Sequence, residues 1–212
     1  MEVNLSCVDC GVKACSKQKS SGDKAYPPFC PTPSMNPELL DSAMSEYEKE
    51  EVQKVTQAAA DVVYENYGQF TRVQEVMAFA EKLGAKKLGI ATCVGLLKES
   101  RILAKILRAH GFEVVSISCK AGDQEKYTVG IPECYKNLGV NMCNPVLQAK
   151  YLNEQKTDLN LVVGLCVGHD SLFYKYSEAL VTTVVTKDRV LGHNPVQALY
   201  QAESYYYEKL FE

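Results

Sequence analysis

The sequence predicts an α/β protein with a Rossmann-like parallel sheet of about four strands, flanked by helices and preceded by a cysteine-rich metal-binding unit. Two observations predict the sheet: short apolar runs end in a glycine turn, and a helical pattern follows each turn. The clearest example is 161–170, Leu-Val-Val-Gly-Leu-Cys-Val-Gly-His-Asp. A third observation, the spacing of the first four cysteines, predicts the metal-binding unit.

Composition narrows the class of protein. The chain has 212 residues, nine cysteines and a formal net charge of -3, so its charge does not favour binding to nucleic acid or to an anionic membrane. No apolar run approaches the ~20 residues of a membrane span, and the N-terminus lacks the regions of a signal peptide. We therefore expect a cytoplasmic protein whose reduced cysteines serve as metal ligands rather than forming disulfides.

Residues 1–35 are the predicted metal-binding unit. Cys7, Cys10 and Cys15 follow a C-x2-C-x4-C spacing, and Cys30 adds a fourth thiol directly before a proline. The segment has too little apolar surface to fold alone, so a metal would supply its stability. Four thiolates suit an iron–sulfur cluster or zinc. The uneven spacing and the Cys-Pro pair favour a [4Fe–4S] cluster over zinc.

Residues 36–84 are predicted to be a helical connector packed on the sheet. Asn36 and Pro37 are typical of a helix start, and helical spacing of apolar residues continues to residue 68. Thr71 and Gln74 form a capping box that begins a second helix. We expect these helices to carry the cysteine-rich unit onto the sheet.

Residues 85–212 are the predicted α/β domain. Apolar runs indicate four strands, and amphipathic patterns indicate a helix after each strand. The strands are expected at about 87–92, 113–118, 159–165 and 180–186, and the helices at about 96–110, 144–154, 170–178 and 194–211. This alternation indicates a parallel sheet with right-handed crossovers. The irregular stretch 120–143 is long for a loop, and such loops are usually functional or mobile.

The α/β domain contains a weak internal repeat. The triplet Cys-Val-Gly occurs at 93–95 and 166–168, and Asn-Pro-Val occurs at 144–146 and 194–196. A lysine also follows both the second and the fourth predicted strand. Although Asn-Pro is a common helix start, three matches in the same order favour duplication of a β–α–β–loop–α unit.

A second group of cysteines is predicted at one edge of the sheet. Cys93, Cys119 and Cys166 follow the first three strands, and the carboxyl ends of parallel strands lie at the same edge. Cys143 precedes a helix N-terminus, which stabilises a thiolate. We predict that these four residues bind a second metal centre, a [4Fe–4S] cluster. The alternative is four separate buried cysteines, since a free cysteine is often a small core residue.

Two histidines lie close in sequence to these cysteines. His169 and His193 are candidates for metal ligands or for hydrogen-bond partners of sulfur around the second site. No residue is assigned a catalytic role from the sequence.

Four stretches carry a resemblance to a known family. They are the N-terminal C-x2-C-x4-C, 142–145 with Gln148 and Ala149, 164–170, and 187–195. Over essentially its whole length the chain resembles the uncharacterised metal-binding proteins called domain of unknown function 1847. The resemblance implies metal binding but no activity, because the family has none to transfer.

Three functions remain open at this point. The first is a metal-binding protein with one or two iron–sulfur clusters and a redox, electron-transfer or small-ligand role. The second is an enzyme with a structural zinc knuckle, in which Cys166 or Cys143 is the nucleophile and His169 or His193 the base. The third is a zinc-stabilised interaction module. Neither the redox partner or small molecule nor the oligomeric state follows from the sequence, and no phosphate-binding glycine motif is present.

Overall fold

The computed structural model describes residues 5–17, 25–204 and 210–211. The chain divides into two compact units, Met1–Gln57 and Ala58–Glu212. The boundary therefore falls inside the region predicted to be a helical connector.

The first unit consists of short helical segments. Two 3-10 turns, Cys7–Asp9 and Ala14–Ser16, precede helices α1 (Pro31–Ser34) and α2 (Pro37–Glu46). The Asn36 side chain accepts a hydrogen bond of 3.0 Å from the Glu38 N–H and caps α2 as predicted. None of the residues of α2 is buried.

Helix α3 (Glu50–Asn66) begins in the first unit and continues into the second. The sequence predicted one continuous helix over 36–68, but α2 ends at Glu46 and the chain turns before α3. Two side chains of α3 are buried, Ala58 and Val62. The helical spacing of apolar residues places Val63 beside Val62 on the inward face, but Val63 is 55% exposed, so the face that packs is narrower than the apolar stripe in the sequence.

Helix α4 (Arg72–Lys82) begins at the predicted capping box. The side chain of Gln74 accepts hydrogen bonds from the Thr71 N–H and hydroxyl at 3.0 and 2.8 Å. One face of the helix buries Val76, Met77 and Ala80 in the core.

The sheet has four parallel strands, which confirms the predicted fold class. They are β1 (Lys87–Thr92), β2 (Glu113–Ser118), β3 (Leu159–Val163) and β4 (Leu180–Val185), in the order β2-β1-β3-β4. Strand β3 ends two residues earlier than predicted, because Gly164 takes a φ of +62° and turns the chain out of the ladder.

Helices cover both faces of the sheet. The helices that follow the strands are α5 (Leu97–Ala109), α6 (Pro145–Glu154), α7 (His169–Tyr176) and α8 (Val196–Gln201). Helices α4 and α5 pack with one face, whereas α6 and α7 pack with the other. The last helix was predicted over 194–211, but α8 ends at Gln201 and residues 202–204 are not helical; 205–209 lie outside the described residues. Across the described ranges, no helix combines the length and apolar character required to cross a bilayer.

Strands β1 and β3 form the topological switch point of the sheet. The chain passes from β1 through α5 to one outer strand, and from β3 through α7 to the other. Because α5 and α7 lie on opposite faces, the connections diverge between β1 and β3, and open α/β sheets bind their ligands beyond the carboxyl ends of the strands at such a point. The element order β–α–β–α also occurs twice, as the proposed duplication requires, although the duplication itself stays a prediction.

A buried polar side chain of β3 packs against a glycine of β1. The Oδ1 atom of Asn160, a fully buried residue of β3, accepts a hydrogen bond of 2.8 Å from the Thr157 hydroxyl, and its Nδ2 donates to the Ser177 hydroxyl at 2.9 Å. A Cβ atom on Gly89 of β1 would lie 2.0 Å from Asn160 Oδ1. Gly89 therefore leaves the space that the hydrogen-bonded Asn160 side chain occupies.

Candidate functional site

Cys93 and Cys119 lie side by side at the carboxyl edge of the sheet. The register pairs Thr92 with Ser118, and the N–H of Cys119 donates to the Thr92 carbonyl at 2.8 Å. Both cysteines belong to the same buried cluster and are 7% and 3% exposed. Their side chains are hydrogen-bonded to each other, so the strands bring two buried thiols into contact.

Cys143 joins these two cysteines from the long loop. The Asn144 N–H donates to the Cys119 carbonyl at 2.8 Å, which holds the end of the loop against the strand. The half-buried Cys143 side chain is hydrogen-bonded to Cys119. The Asn144 side chain accepts from the Leu147 N–H at 2.9 Å and begins α6 as predicted.

Cys166 and His169 approach the same place from the end of β3. The His169 N–H donates to the Cys166 carbonyl at 2.9 Å where α7 begins, and the His169 ring is hydrogen-bonded to the Cys143 side chain. The Cys166 sulfur accepts a hydrogen bond of 3.0 Å from Arg189 Nη2. Arg189 also interacts electrostatically with Cys93 and Cys143, so its guanidinium links the fourth cysteine to two of the other three.

Backbone N–H groups and lysines also face the sulfurs. The Val94 N–H donates to the Cys119 sulfur at 3.3 Å, while the Gly95 N–H and the Lys187 ammonium group are hydrogen-bonded to Cys93. Lys120 donates to the Asn141 carbonyl and acts electrostatically on Cys143. Such donors and positive charges favour the thiolate form of cysteine.

The proton distribution follows from these contacts. The pKa of Cys93 is lowered to about 5, first by the hydrogen bond with Cys119 and then by the Gly95 N–H and Lys187, while burial opposes these effects. The pKa of Cys143 is lowered to about 4, first by Cys119 and then by His169. Contacts with Cys143 and Cys93, together with burial, raise the pKa of Cys119. Cys119 therefore keeps its proton between two thiolates.

The histidine at the site is charged more readily than usual. The hydrogen bond to Cys143 raises the pKa of His169, and the partial burial of the ring opposes this effect. The pair is therefore shifted towards an imidazolium facing a thiolate.

His193, the other predicted histidine, is engaged with backbone instead. Its Nδ1 accepts from the Asp188 N–H at 3.1 Å, and its own N–H donates to the Asp188 carbonyl at 2.8 Å. The Asp188 carboxylate accepts from the N–H groups of Val190 and Leu191 at 2.9 and 2.8 Å. These bonds form a compact turn that presents Arg189 to Cys166.

Sequence reasoning missed the roles of Arg189 and Lys187. Both belong to the stretch 187–195 that carries part of the family resemblance, and this was the signal that could have identified them. Lys187 was noted only as the residue after a strand. A cation that contacts a cysteine more than 20 residues away cannot be assigned without the strand order.

The N-terminal cysteines are in a different environment. Cys7 and Cys15 are exposed, and Cys10 and Cys30 are half-buried. In the described part of the chain, which contains both predicted sites, no three His, Cys, Asp or Glu side chains stand in an arrangement that would hold a metal ion. Metal binding by either set of four cysteines stays a prediction.

The donor chemistry at the sheet edge fits a metal with an affinity for sulfur. The Cys119 thiol interacts with those of Cys93 and Cys143, Arg189 binds the Cys166 sulfur, and the Val94 N–H donates to the Cys119 sulfur. To bind a metal, Cys119 would lose its proton and the sulfurs would turn towards a common centre.

Comparison with known proteins places the chain in a family. The family model described as a protein of unknown function (DUF1847) matches residues 30–184. The chain belongs to this family. An uncharacterized protein of Methanocaldococcus jannaschii is 45% identical over 175 residues, which cover 82% of this chain and 89% of the relative. The predicted family is confirmed, and the matched residues of this DUF1847 protein contain all four sheet-edge cysteines.

Proposed function

We propose that the sheet edge binds a thiolate-ligated metal centre, an iron–sulfur cluster, with a redox, electron-transfer or small-ligand role. The observation that carries the proposal is the contact of the Cys93, Cys119 and Cys143 thiols, with Cys166 beside them, at the switch point of the sheet. The proposal includes a cytoplasmic location, where cysteines are kept reduced.

Location argues against four unrelated core cysteines. Ligands of open α/β sheets bind beyond the carboxyl ends of the strands at the switch point, and this is where the four sulfurs lie. Cysteines that only fill space in a core need no polar partners, whereas here the sulfurs accept hydrogen bonds from the Val94 and Gly95 N–H groups and from Arg189.

The surrounding charges suit a thiolate-ligated centre. A centre with four thiolate ligands carries net negative charge, and Lys120, Lys187 and Arg189 all act on the thiols from the edge of the sheet. Hydrogen bonds to ligand sulfurs and nearby charge tune the reduction potential of iron–sulfur clusters. When bound, such a cluster supplies one-electron transfer, and the chain's own part is to hold the sulfurs and to offset their charge.

An experiment can identify the metal. The protein, in a Cys10→Ser background that removes the N-terminal site, is purified and reconstituted anaerobically, and its iron, zinc and acid-labile sulfide are measured. We expect iron, sulfide and broad visible absorption. A colourless protein that holds zinc would contradict the iron–sulfur cluster.

A matched pair of variants locates the centre. Cys119→Ser, made in the same background, should lose the iron and sulfide. Cys134→Ser should keep them, because Cys134 is an exposed cysteine in the long loop. Equal metal content in the two variants would remove the sheet edge as the site.

A second candidate function rests on one contact. The half-buried Cys143 is hydrogen-bonded to His169, and a cysteine beside a histidine is the usual arrangement of a nucleophilic thiol. In this function the protein is an enzyme that forms a covalent intermediate at Cys143. A metal-free protein in which iodoacetamide modifies Cys143 first, with His169→Gln slowing that reaction, would favour this candidate over the metal centre.

A further inference from the structure

We propose that Cys119 and Cys143 form a reversible disulfide in the metal-free protein, so that the sheet edge also carries out thiol–disulfide exchange. This activity goes beyond the proposed metal binding and does not depend on it. It uses two of the same sulfurs, so the disulfide and the metal centre would exclude each other.

Backbone hydrogen bonds already hold the segments that carry Cys119 and Cys143 together. The Asn144 N–H donates to the Cys119 carbonyl at 2.8 Å, and the Met142 N–H donates to the Gln124 carbonyl at 2.8 Å. A further bond of 3.1 Å joins the Lys126 N–H to the Val140 carbonyl. The loop between the cysteines is therefore pinned at its base by an antiparallel ribbon, and a covalent bond there would not need a new approach of the chain.

Cys119 and Cys143 are also close enough for a disulfide. Backbone segments joined by a hydrogen bond lie about 5 Å apart, which falls within the Cα separation of about 4.4–6.8 Å that a disulfide spans. The Cys119 and Cys143 side chains are hydrogen-bonded to each other. A bond between them requires rotation of the side chains but no movement of a strand.

The solvent exposure of the two cysteines indicates which one reacts first. Cys143 is half-buried, while Cys119 is only 3% exposed. A small-molecule disulfide from solvent therefore reaches Cys143 first. The buried Cys119 then reacts with Cys143 and completes the protein disulfide. Cys93 is also buried, at 7% exposed, and the Cys166 sulfur is bound to Arg189.

The chemistry balances with a small-molecule disulfide as the oxidant. The Cys143 thiolate attacks one sulfur of R–S–S–R, a mixed disulfide forms, and one R–S⁻ leaves. The expelled thiolate takes the proton of Cys119, whose sulfur attacks the Cys143 sulfur and releases a second R–S⁻. Two protein thiols are oxidised, and one external disulfide is reduced to two thiols.

Formation of the disulfide would restrain the loop 120–142. This loop contains two 3-10 turns, Lys126–Val129 and Glu133–Leu138, that bury none of their residues. A disulfide at its base limits the excursions of the loop and removes two of the four sulfurs from the proposed metal centre. Oxidised protein should therefore take up no iron at the sheet edge until a dithiol reduces it.

A peptide map tests the proposal. The full-length metal-free protein is incubated with glutathione disulfide, the remaining thiols are alkylated, and the protein is digested with trypsin. Each sheet-edge cysteine falls in its own tryptic peptide, namely 88–98, 109–120, 137–150 and 157–175. We expect peptide 109–120 to be cross-linked to peptide 137–150. Recovery of both as alkylated peptides, or a cross-link of 109–120 to 88–98, would overturn the proposal.

Variants separate the two cysteines. Cys119→Ser should stop at a stable glutathione adduct on Cys143, and Cys143→Ser should leave Cys119 alkylated and without an adduct. The control, Cys134→Ser, should form the cross-link as the wild type does. An adduct on Cys119 in Cys143→Ser would reverse the proposed order and overturn it, and the wild-type map decides the question even if a variant does not fold.

Metal analysis keeps this proposal distinct from the proposed function. Iron that binds at the sheet edge of reduced protein without any cross-link after oxidation overturns the disulfide alone. A cross-link in a protein that binds no iron supports the disulfide and contradicts only the metal centre.

Discussion

The two sets of four cysteines differ in what holds their side chains in place. The N-terminal set belongs to 3-10 turns of three residues and to loops, and two of its four cysteines are exposed. Three of the sheet-edge cysteines follow strands of a buried parallel sheet, and the Cys119 thiol interacts with those of Cys93 and Cys143. Four cysteines are therefore held by a folded core at the sheet edge, whereas the four N-terminal cysteines lie on short local turns and loops.

The difference teaches what a metal would contribute in each region. At the sheet edge, burial and the hydrogen bonds between strands bring the thiols together without any metal. A metal there would bind to a site that is already folded. In the N-terminal segment the metal would itself be the main source of order, as in small metal-stabilised domains. Substitutions can test this contrast, because they should have large effects near the sheet and small effects in the N-terminal segment.

The largest effect is expected for Gly164→Ala at the end of β3. The backbone is left-handed at φ +62°, and the new Cβ would lie 2.0 Å from Leu96 Cδ1. We expect a loss of about 2–4 kcal/mol in the free energy of unfolding, from backbone strain and overpacking. The matched control is Gly11→Ala, where a Cβ meets nothing within 4 Å and the loss should be below about 0.5 kcal/mol. Similar losses in urea titrations of both variants would contradict the contrast.

A smaller effect is expected for Gln148→Leu on α6. This fully buried side chain donates to the Thr92 and Ile117 carbonyls at 3.1 and 2.9 Å, close to the positions of Cys93 and Cys119. Loss of the two bonds should cost about 1–2 kcal/mol.

Gln53→Leu is the control for this prediction, because its exposed side chain lies on α3 in the first unit. We expect it to change the free energy of unfolding by less than about 0.5 kcal/mol. If Gln148→Leu is as stable as the wild type, the amide does not hold the strand ends together.

Thiol labelling compares the two sets without changing the sequence. In native metal-free protein, the exposed Cys7 and Cys15 should react with a maleimide at least about tenfold faster than Cys93 and Cys119, because buried thiols require local opening before they react. Peptide mapping at several times gives the rates. Labelling of all four at equal rates would mean that the sheet edge opens as freely as the N-terminal segment.

The smallest effect on stability is expected for Cys10→Ser in metal-free protein. Its side chain lies outside the buried core, so the free energy of unfolding should change by less than about 0.5 kcal/mol. The same variant should lose the N-terminal metal and become more susceptible to proteolysis within 1–35. Unchanged metal content, relative to Cys134→Ser as control, would remove the N-terminal site.

Much of the fold was predictable because a short apolar run in the sequence indicates a buried strand. Strands β1 and β2 have the predicted bounds, since their apolar runs are bordered by glycine or charged residues. The break between α2 and α3 was not predictable, because helix-forming residues continue through 47–49. The exposure of Val63 was missed for a related reason: an apolar stripe shows which side of a helix can pack, but not how much of it a neighbour covers.

The sequence by itself determined that Cys93 and Cys119 each follow a buried strand, and it placed Cys143 before a helix. Those features depend on residues within a few positions of each cysteine. Only the tertiary structure decided which thiols touch, that Arg189 reaches Cys166, and that His193 binds the Asp188 backbone instead. These contacts depend on strand order and on the path of two loops, and both are set by packing between residues that are distant in sequence, which no local pattern encodes.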